Sequence, residues 1–227
     1  MPGDEIIIMA NSLKWGGRCV AGISVRSGAW VRPVSTRPHG ELYPFQYCID
    51  GREAELFDVV GFEHEGSTGD PTQPENVQVG DSRWWRTGRV GREEAARALG
   101  SHRIEGPVLL GNRGKALPED EAERGVEASL ALVEPGRIEF RLDPPLEGTA
   151  KRRPRVEFDL GGETYTLSMT DTAVRPRLLR AGLGRHDPSE VGLGSDGPIL
   201  LTVSLAEARD GWCTKLVAAA FTLPKGG

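Results

Sequence analysis

N-S-L-K-W-G-G-R-C-V-A-G-I-S-V-R-S-G-A-W-V-R-P-V-S, residues 11–35, is the stretch whose reading decides the fold. Two short apolar runs, Val20 to Val25 and Trp30 to Val34, flank Ser27-Gly28, a pair suited to a tight turn, so the segment is expected to form a β-hairpin. Period-two alternation puts Trp30 and Arg32 on one face of the second strand and Val31 on the other. Pro33 lacks the amide proton that would continue the ladder. Immediately upstream, Glu5 to Ala10 reads E-I-I-I-M-A, a β-branched run suited to a buried strand. That strand delivers Ser12, Lys14, Trp15 and Arg18 to a loop at a sheet end. A weaker echo lies near the other end, where S-L-A-E-A-R-D-G-W-C-T-K-L-V-A-A-A-F (204–221) repeats the order Ser-Leu, gap, Gly-X-Cys, apolar run.

Moving outward, residues 36–56 are loop-rich, and Leu56 to Phe62 is a further strand. A short helix is expected over Arg92 to Leu99, with Glu93 and Glu94 near its positive end. The composition of 111–125, G-N-R-G-K-A-L-P-E-D-E-A-E-R-G, suggests a linker. Strands resume at Ser129–Glu134, Arg137–Leu142, Arg155–Leu160 and Glu163–Thr170, with Gly161-Gly162 a strong hairpin signal. A helix over Ala173–Ala181 stops at Gly182, and Ile199–Leu205 and Cys213–Leu223 complete the pattern. Many short strands, few helices and a duplicated flavour indicate a mainly β chain of two tandem small β-barrels. The expected division is a first barrel over 1–110, the linker 111–125 and a second barrel over 126–227.

Composition narrows the function. The 38% hydrophobic content holds no apolar run near membrane-spanning length, and the first apolar run is too short for a signal-peptide core, so a cytoplasmic protein without a membrane partner is expected. Cys19, Cys48 and Cys213 are odd in number and distant, which suits reduced, buried thiols. The four histidines show no metal-ligand spacing, and no metal or other cofactor is expected. Gly111-Asn112-Arg113-Gly114-Lys115 lacks the spacing and the hydroxyl residue of a phosphate-binding loop.

Net charge is −5, but the charges are segregated. Residues 41–80 carry nine acidic residues against Arg52 alone, whereas 81–115 carry eight basic against four acidic. Two further basic clusters follow, Lys151-Arg152-Arg153-Pro154-Arg155 and Arg175, Arg177, Arg180 and Arg185. Each reads either as a local positive face for a polyanion or as a solvated surface. Lys14, Arg18 and Arg32 beside Trp15 and Trp30 combine guanidinium groups for phosphates with indoles for bases, or else pack Trp30 into a core rimmed by cations. In Arg83-Trp84-Trp85-Arg86 a strand must turn one indole out and one in. Thr170-Asp171 just before a helix is read as an N-cap or Asx turn in preference to a catalytic pair.

The motifs N-S-L-K-W-G-G-R-C-V-A-G, W-V-R-P-V-S, Q-P-E-N, Y-T-L-S-M-T-D, and L-T-V-S-L-A-E followed by G-W-C-T-K-L-V-A-A-A-F, in that order, resemble the bacterial dual OB-containing domain family over about residues 5–223. The resemblance implies tandem OB folds and nucleic-acid binding in nucleic-acid processing or defence. It also brings forward Cys19, Glu75 and Cys213 as motif residues. The candidate binding set is Ser12, Lys14, Arg18, Trp30, Arg32, Asn76, Trp84, Arg86, Thr170, Asp171, Ser204 and Lys215, with single-stranded DNA or RNA, or a nucleotide-like anion, as partner. No catalytic residue stands out. The alternative is an enzyme or sensor for a small anion at the junction of the halves, where Ser12, Lys14, Arg18, Asp171, Ser204 and Lys215 converge. A protein-interaction subunit using the acidic 41–80 segment is a third reading.

Overall fold

The computed structural model describes residues 3–194 and 196–223. The first half contains β1 (Gly3–Lys14), β2 (Gly17–Ser24), β3 (Trp30–Val34), β4 (Cys48–Ile49), β5 (Arg52–Glu53), β6 (Asp58–Glu63), β7 (Gly66–Ser67), β8 (Asn76–Gln78) and β9 (Trp85–Arg89). Helices α1 (Pro44–Tyr47) and α2 (Arg92–Leu99) complete it. The second half contains β10 (Arg103–Ile104), β11 (Ala116–Pro118), β12 (Leu130–Val133), β13 (Ile138–Asp143), β14 (Arg153–Leu160) and β15 (Glu163–Met169). It ends with β16 (Gly184–His186), β17 (Ile199–Arg209) and β18 (Trp212–Thr222), and also holds α3 (Glu119–Ala122) and α4 (Val174–Ala181).

Both halves share one pairing rule. In the first, β1, β2 and β3 form an antiparallel meander, and β3 then pairs in parallel with β8, Arg32 opposite Asn76. In the second, β13, β14 and β15 form the meander, and β15 pairs in parallel with β18. The fold is therefore mainly β and built as two related units. The expected barrels are open: neither hydrogen-bonded path returns to its first strand among the described residues. In the first half the chain spans part of that gap itself, since β6 pairs with β1 and the next strand, β7, pairs with β8.

The expected hairpin of residues 20–34 is present, with Ile23 opposite Trp30. The distant echo is not a repeat of it. The β1–β2 hairpin is the start of the first meander, whereas β17–β18 supplies the parallel partner of the second. What the two hairpins do share is their tips. Trp15-Gly16 and Asp210-Gly211 each have positive φ at both positions, the geometry of a tight turn that matches strand twist.

The unbroken apolar run of β1 is explained by burial on both faces. Ile6 and Ile8 point into the core of the first unit with Val20, Val60 and Phe62. Ile7 and Met9 point the other way, into a cluster shared with Leu130, Leu132, Leu200, Ala219 and Phe221 of the second half. A third cluster, including Phe140, Phe158, Leu167 and Val203, fills the second unit. The halves therefore share a core as well as having one each. Gly22 lies so close to β1 that an added Cβ would meet the Ile7 carbonyl oxygen.

The expected boundary shifts. Residues 103–104 already pair with β12, and Leu109 and Leu110 lie in the second core. The segment 111–125, expected as a linker, pairs with β18 through β11 and buries Leu117 and Ala122. Its glycines and acids suit the turns around β11 and the exposed side of α3, and composition does not report a three-residue strand held by a distant partner.

The three cysteines are free thiols. Cys213 is buried and Cys19 half-buried, but Cys48, expected inside, is exposed. No described helix is long and apolar enough to cross a membrane.

Candidate functional site

A polar seam joins the halves beside their shared core. The Leu13 amide donates to the Thr170 carbonyl (2.9 Å) and the Thr172 amide to the Asn11 carbonyl (3.1 Å), so the end of β1 is stitched to the chain after β15. Arg32 is 1% exposed. Its guanidinium donates to Asn76 Oδ1 (3.2 Å), Ser204 Oγ (3.1 Å) and the Ser129 carbonyl (3.3 Å). Ser129 in turn donates its amide (2.7 Å) and its hydroxyl to the Glu75 carboxylate. Opposite charges thus meet through one serine.

This seam absorbs much of the candidate set. Arg32, Asn76 and Ser204 are buried cross-links, and this corrects the expectation that Arg32 meets a phosphate. Alternation placed Arg32 on a face but did not say that the second half covers it. Asp171 is buried; one carboxylate oxygen accepts from the Ala173 (2.6 Å) and Val174 (2.9 Å) amides and the other from Ala220 (2.8 Å). It closes the Asx turn ahead of α4. Burial pushes its pKa up, against those three amide bonds. Thr170 donates its hydroxyl to the Val217 carbonyl.

Lys215 is 3% exposed and its ammonium donates to Asn112 O (2.8 Å), Asn112 Oδ1 (2.7 Å) and Gly114 O (2.7 Å). Burial lowers its pKa to about 8. It fastens the loop before β11 and offers a phosphate nothing.

Arg18 forks onto Glu53 at 3.0 and 2.6 Å and lies 5.1 Å from the Tyr47 ring centre. Arg86 faces the fully buried Asp58 at 3.2 Å, a carboxylate that Arg52 and Arg89 also contact. Trp84, the indole chosen from its pair, is the buried one, tilted against Phe62; Trp85 is exposed. Trp30 is half-buried against the shared core with its ring edge to His102. Ser12 and Lys14 remain, lining a cleft between the halves.

That cleft, of about 570 Å³, lies behind the β1–β2 tip and is lined by Ser12, Lys14, Trp15, Arg32, Ser204, Glu207, Arg209 and Thr214 among others. Trp15 is 56% exposed. Its indole stacks on His39 at 4.0 Å and donates Nε1–H to Glu207 Oε1 (2.7 Å), which also faces His39 Nδ1 at 2.9 Å. Arg209, from the neighbouring tip, sits 6.0 Å from the Trp15 ring centre. The six residues of the small-anion alternative do not gather here. Ser12, Lys14 and Ser204 line this cleft, Arg18 and Asp171 line another, and Lys215 lines neither.

A second cleft of about 690 Å³ shares Leu13, Trp15 and Arg209 with the first. Lys151, Arg152, Arg153, Arg155, Arg175 and Arg209 line it, and among the described residues no Asp or Glu does. Arg155 donates to Ser168 Oγ (2.9 Å), and burial, then the neighbouring Arg153, lowers its pKa. Arg153 reaches Asp143 only at 3.9 Å. The candidate set missed this groove, although its signal was the K-R-R-P-R run, which by itself reads more readily as solvated surface. Strand order brings it beside Trp15, about 140 positions away in sequence.

Two units with the same meander and parallel pairing agree with the resemblance, and the dual OB-containing domain family matches residues 4–220. The chain belongs to that family. In this dual OB-containing chain the two clefts lie where the β1–β2 tip of the first unit meets β14, the end of β15 and the β17–β18 tip of the second. A solved structure of a murine DNA binding protein bound with ds DNA aligns over 99% of this chain and 100% of its own. Identity is 8% and the TM-score 0.29, too low to bear on fold or ligand. None of the curated proteins matches the chain.

Proposed function

We propose that the protein binds nucleic acid, single-stranded in preference to duplex, with its phosphates along the basic cleft and Trp15 as a stacking surface. One observation carries the reading: six cationic side chains and, among the described residues, no carboxylate line a single cleft on a chain whose net charge is −5. A charge pattern of this kind draws a polyanion to one face against the overall charge. Flexible single strands fit a groove with an aromatic edge because every base has a π-face. The membership in a dual OB-containing family supports the same reading, and the setting it suggests is bacterial nucleic-acid processing or defence. A cytoplasmic location fits that setting.

The test is fluorescence anisotropy with labelled single-stranded DNA and RNA over a series of salt concentrations. Affinity falls with salt, with a logarithmic slope of about −0.7 per phosphate neutralised. Arg152→Ala and Arg175→Ala each make the slope shallower by about that amount, for all sequences alike. Absence of binding to either polymer at low salt rejects the reading.

A further inference from the structure

We infer that the Trp15 cleft is a pocket for one unstacked nucleobase of the strand whose phosphates lie in the basic cleft. The inference rests on the nucleic-acid reading and adds to it a second, chemically different subsite. A nucleotide has an anionic backbone and a flat base with polar edges. The two adjoining clefts divide in the same way. One is lined by six cations and, among the described residues, no carboxylate; the other carries Glu207 beside Lys14, Arg32 and Arg209, the hydroxyls of Ser12 and Thr214, and apolar walls from Leu205 and Leu216. The Glu207 carboxylate makes the Trp15 cleft less favourable to a phosphate than its neighbour, and its apolar walls suit a neutral ring.

The shared wall is Trp15, and its plane is fixed before any ligand arrives. His39 covers one face, and Glu207 holds both the indole N–H and the imidazole. On the other side the Arg209 guanidinium stands over the ring at 6.0 Å from its centre, the outer limit of a cation–π contact. Trp15 also occupies the left-handed region (φ 45°), where a bulky residue is a genuine outlier. Strain of this kind persists where the surroundings impose it, and here it presents a large indole at a hairpin tip in solvent. In the wall of the cleft Arg32 Nε is buried without a hydrogen-bond partner among the described residues, the three bonds of the seam all falling on the two Nη atoms. The volume of about 570 Å³ falls in the ordinary range for a small-molecule site.

The test uses the full chain and three labelled probes of equal length and charge per strand: oligo-dT, the same backbone with every base replaced by an abasic tetrahydrofuran unit, and a duplex. Oligo-dT is expected to bind about tenfold tighter than the abasic strand, the yield of one stacked base. The duplex, whose bases are not free, is expected to lack that advantage. Trp15→Asn, which keeps a residue tolerant of the left-handed turn, is expected to reduce the tenfold ratio to about one while leaving abasic binding and the salt slope in place. Thr214→Trp, filling the cleft from an exposed position, is expected to do the same and serves if Trp15→Asn fails to fold. If the intact and abasic strands bind equally, or if the ratio survives both variants, the base pocket and stacking on Trp15 are overturned and phosphate binding in the basic cleft stands. If no probe binds at low salt, both fall.

Discussion

Arg32 and Arg152 are the same side chain in opposite settings. Arg32 is enclosed by the two halves with three acceptors around its guanidinium, whereas Arg152 stands exposed in a cleft whose lining offers no carboxylate among the described residues. The seam spends its charge holding the molecule together; the cleft leaves its charge available to something else. A cation in a sequence motif is therefore not evidence of a ligand until what lies opposite it is known.

The sharpest way to break this contrast is Arg32→Ala. It leaves Asn76, Ser204 and the Ser129 carbonyl without their donor inside a shared interface, and a loss of about 3–5 kcal/mol is expected in urea unfolding. Arg32→Lys recovers little, because an ammonium does not reproduce the planar fork. A loss under about 1 kcal/mol means that the seam does not join the halves.

Lys215 sharpens the comparison as a buried cation within one half. Lys215→Met is expected to cost about 1–3 kcal/mol near neutral pH, since the Asn112 and Gly114 oxygens lose their donor. The folded pKa of about 8 lies below the ordinary lysine value of 10.5, so burial of the ammonium opposes folding below pH 8. That opposition fades as pH rises from about 8 to 10.5, and stability relative to Lys215→Met rises across that window. A flat difference profile shows that the ammonium is not desolvated. Smallest in stability is Arg152→Ala, expected within about 0.5 kcal/mol of the parent in the same unfolding assay. A larger change there makes the cleft part of the framework.

The architecture was legible where local chemistry decides it. Ser27-Gly28 and Gly161-Gly162 placed two hairpins, and the unbroken E-I-I-I-M-A run marked a strand buried on both faces. It was illegible where a distant segment decides. Residues 111–125 read as a linker because β11 is short and its partner, β18, lies about a hundred positions on. The candidate residues were dispersed over the molecule for the same reason. Alternation grouped Trp30 with Arg32, but the cover over Arg32 comes from Ser204, 172 positions away. In Trp84-Trp85 the pattern required one exposed indole without saying which. Lys151 to Arg155 was visible as a basic run, yet nothing local tied it to Trp15.

The shared core also constrains how the chain is made. Ile7 and Met9 emerge about 210 residues ahead of Ala219 and Phe221, which cover them. Between the end of α2 at Leu99 and the end of β18 at Thr222 lie 123 residues (222 − 99), about 6–25 s of elongation at typical rates. For that interval a finished first half carries an uncovered apolar face on the ribosome. Nascent-chain chaperoning is therefore expected to act on the first half more than on the second.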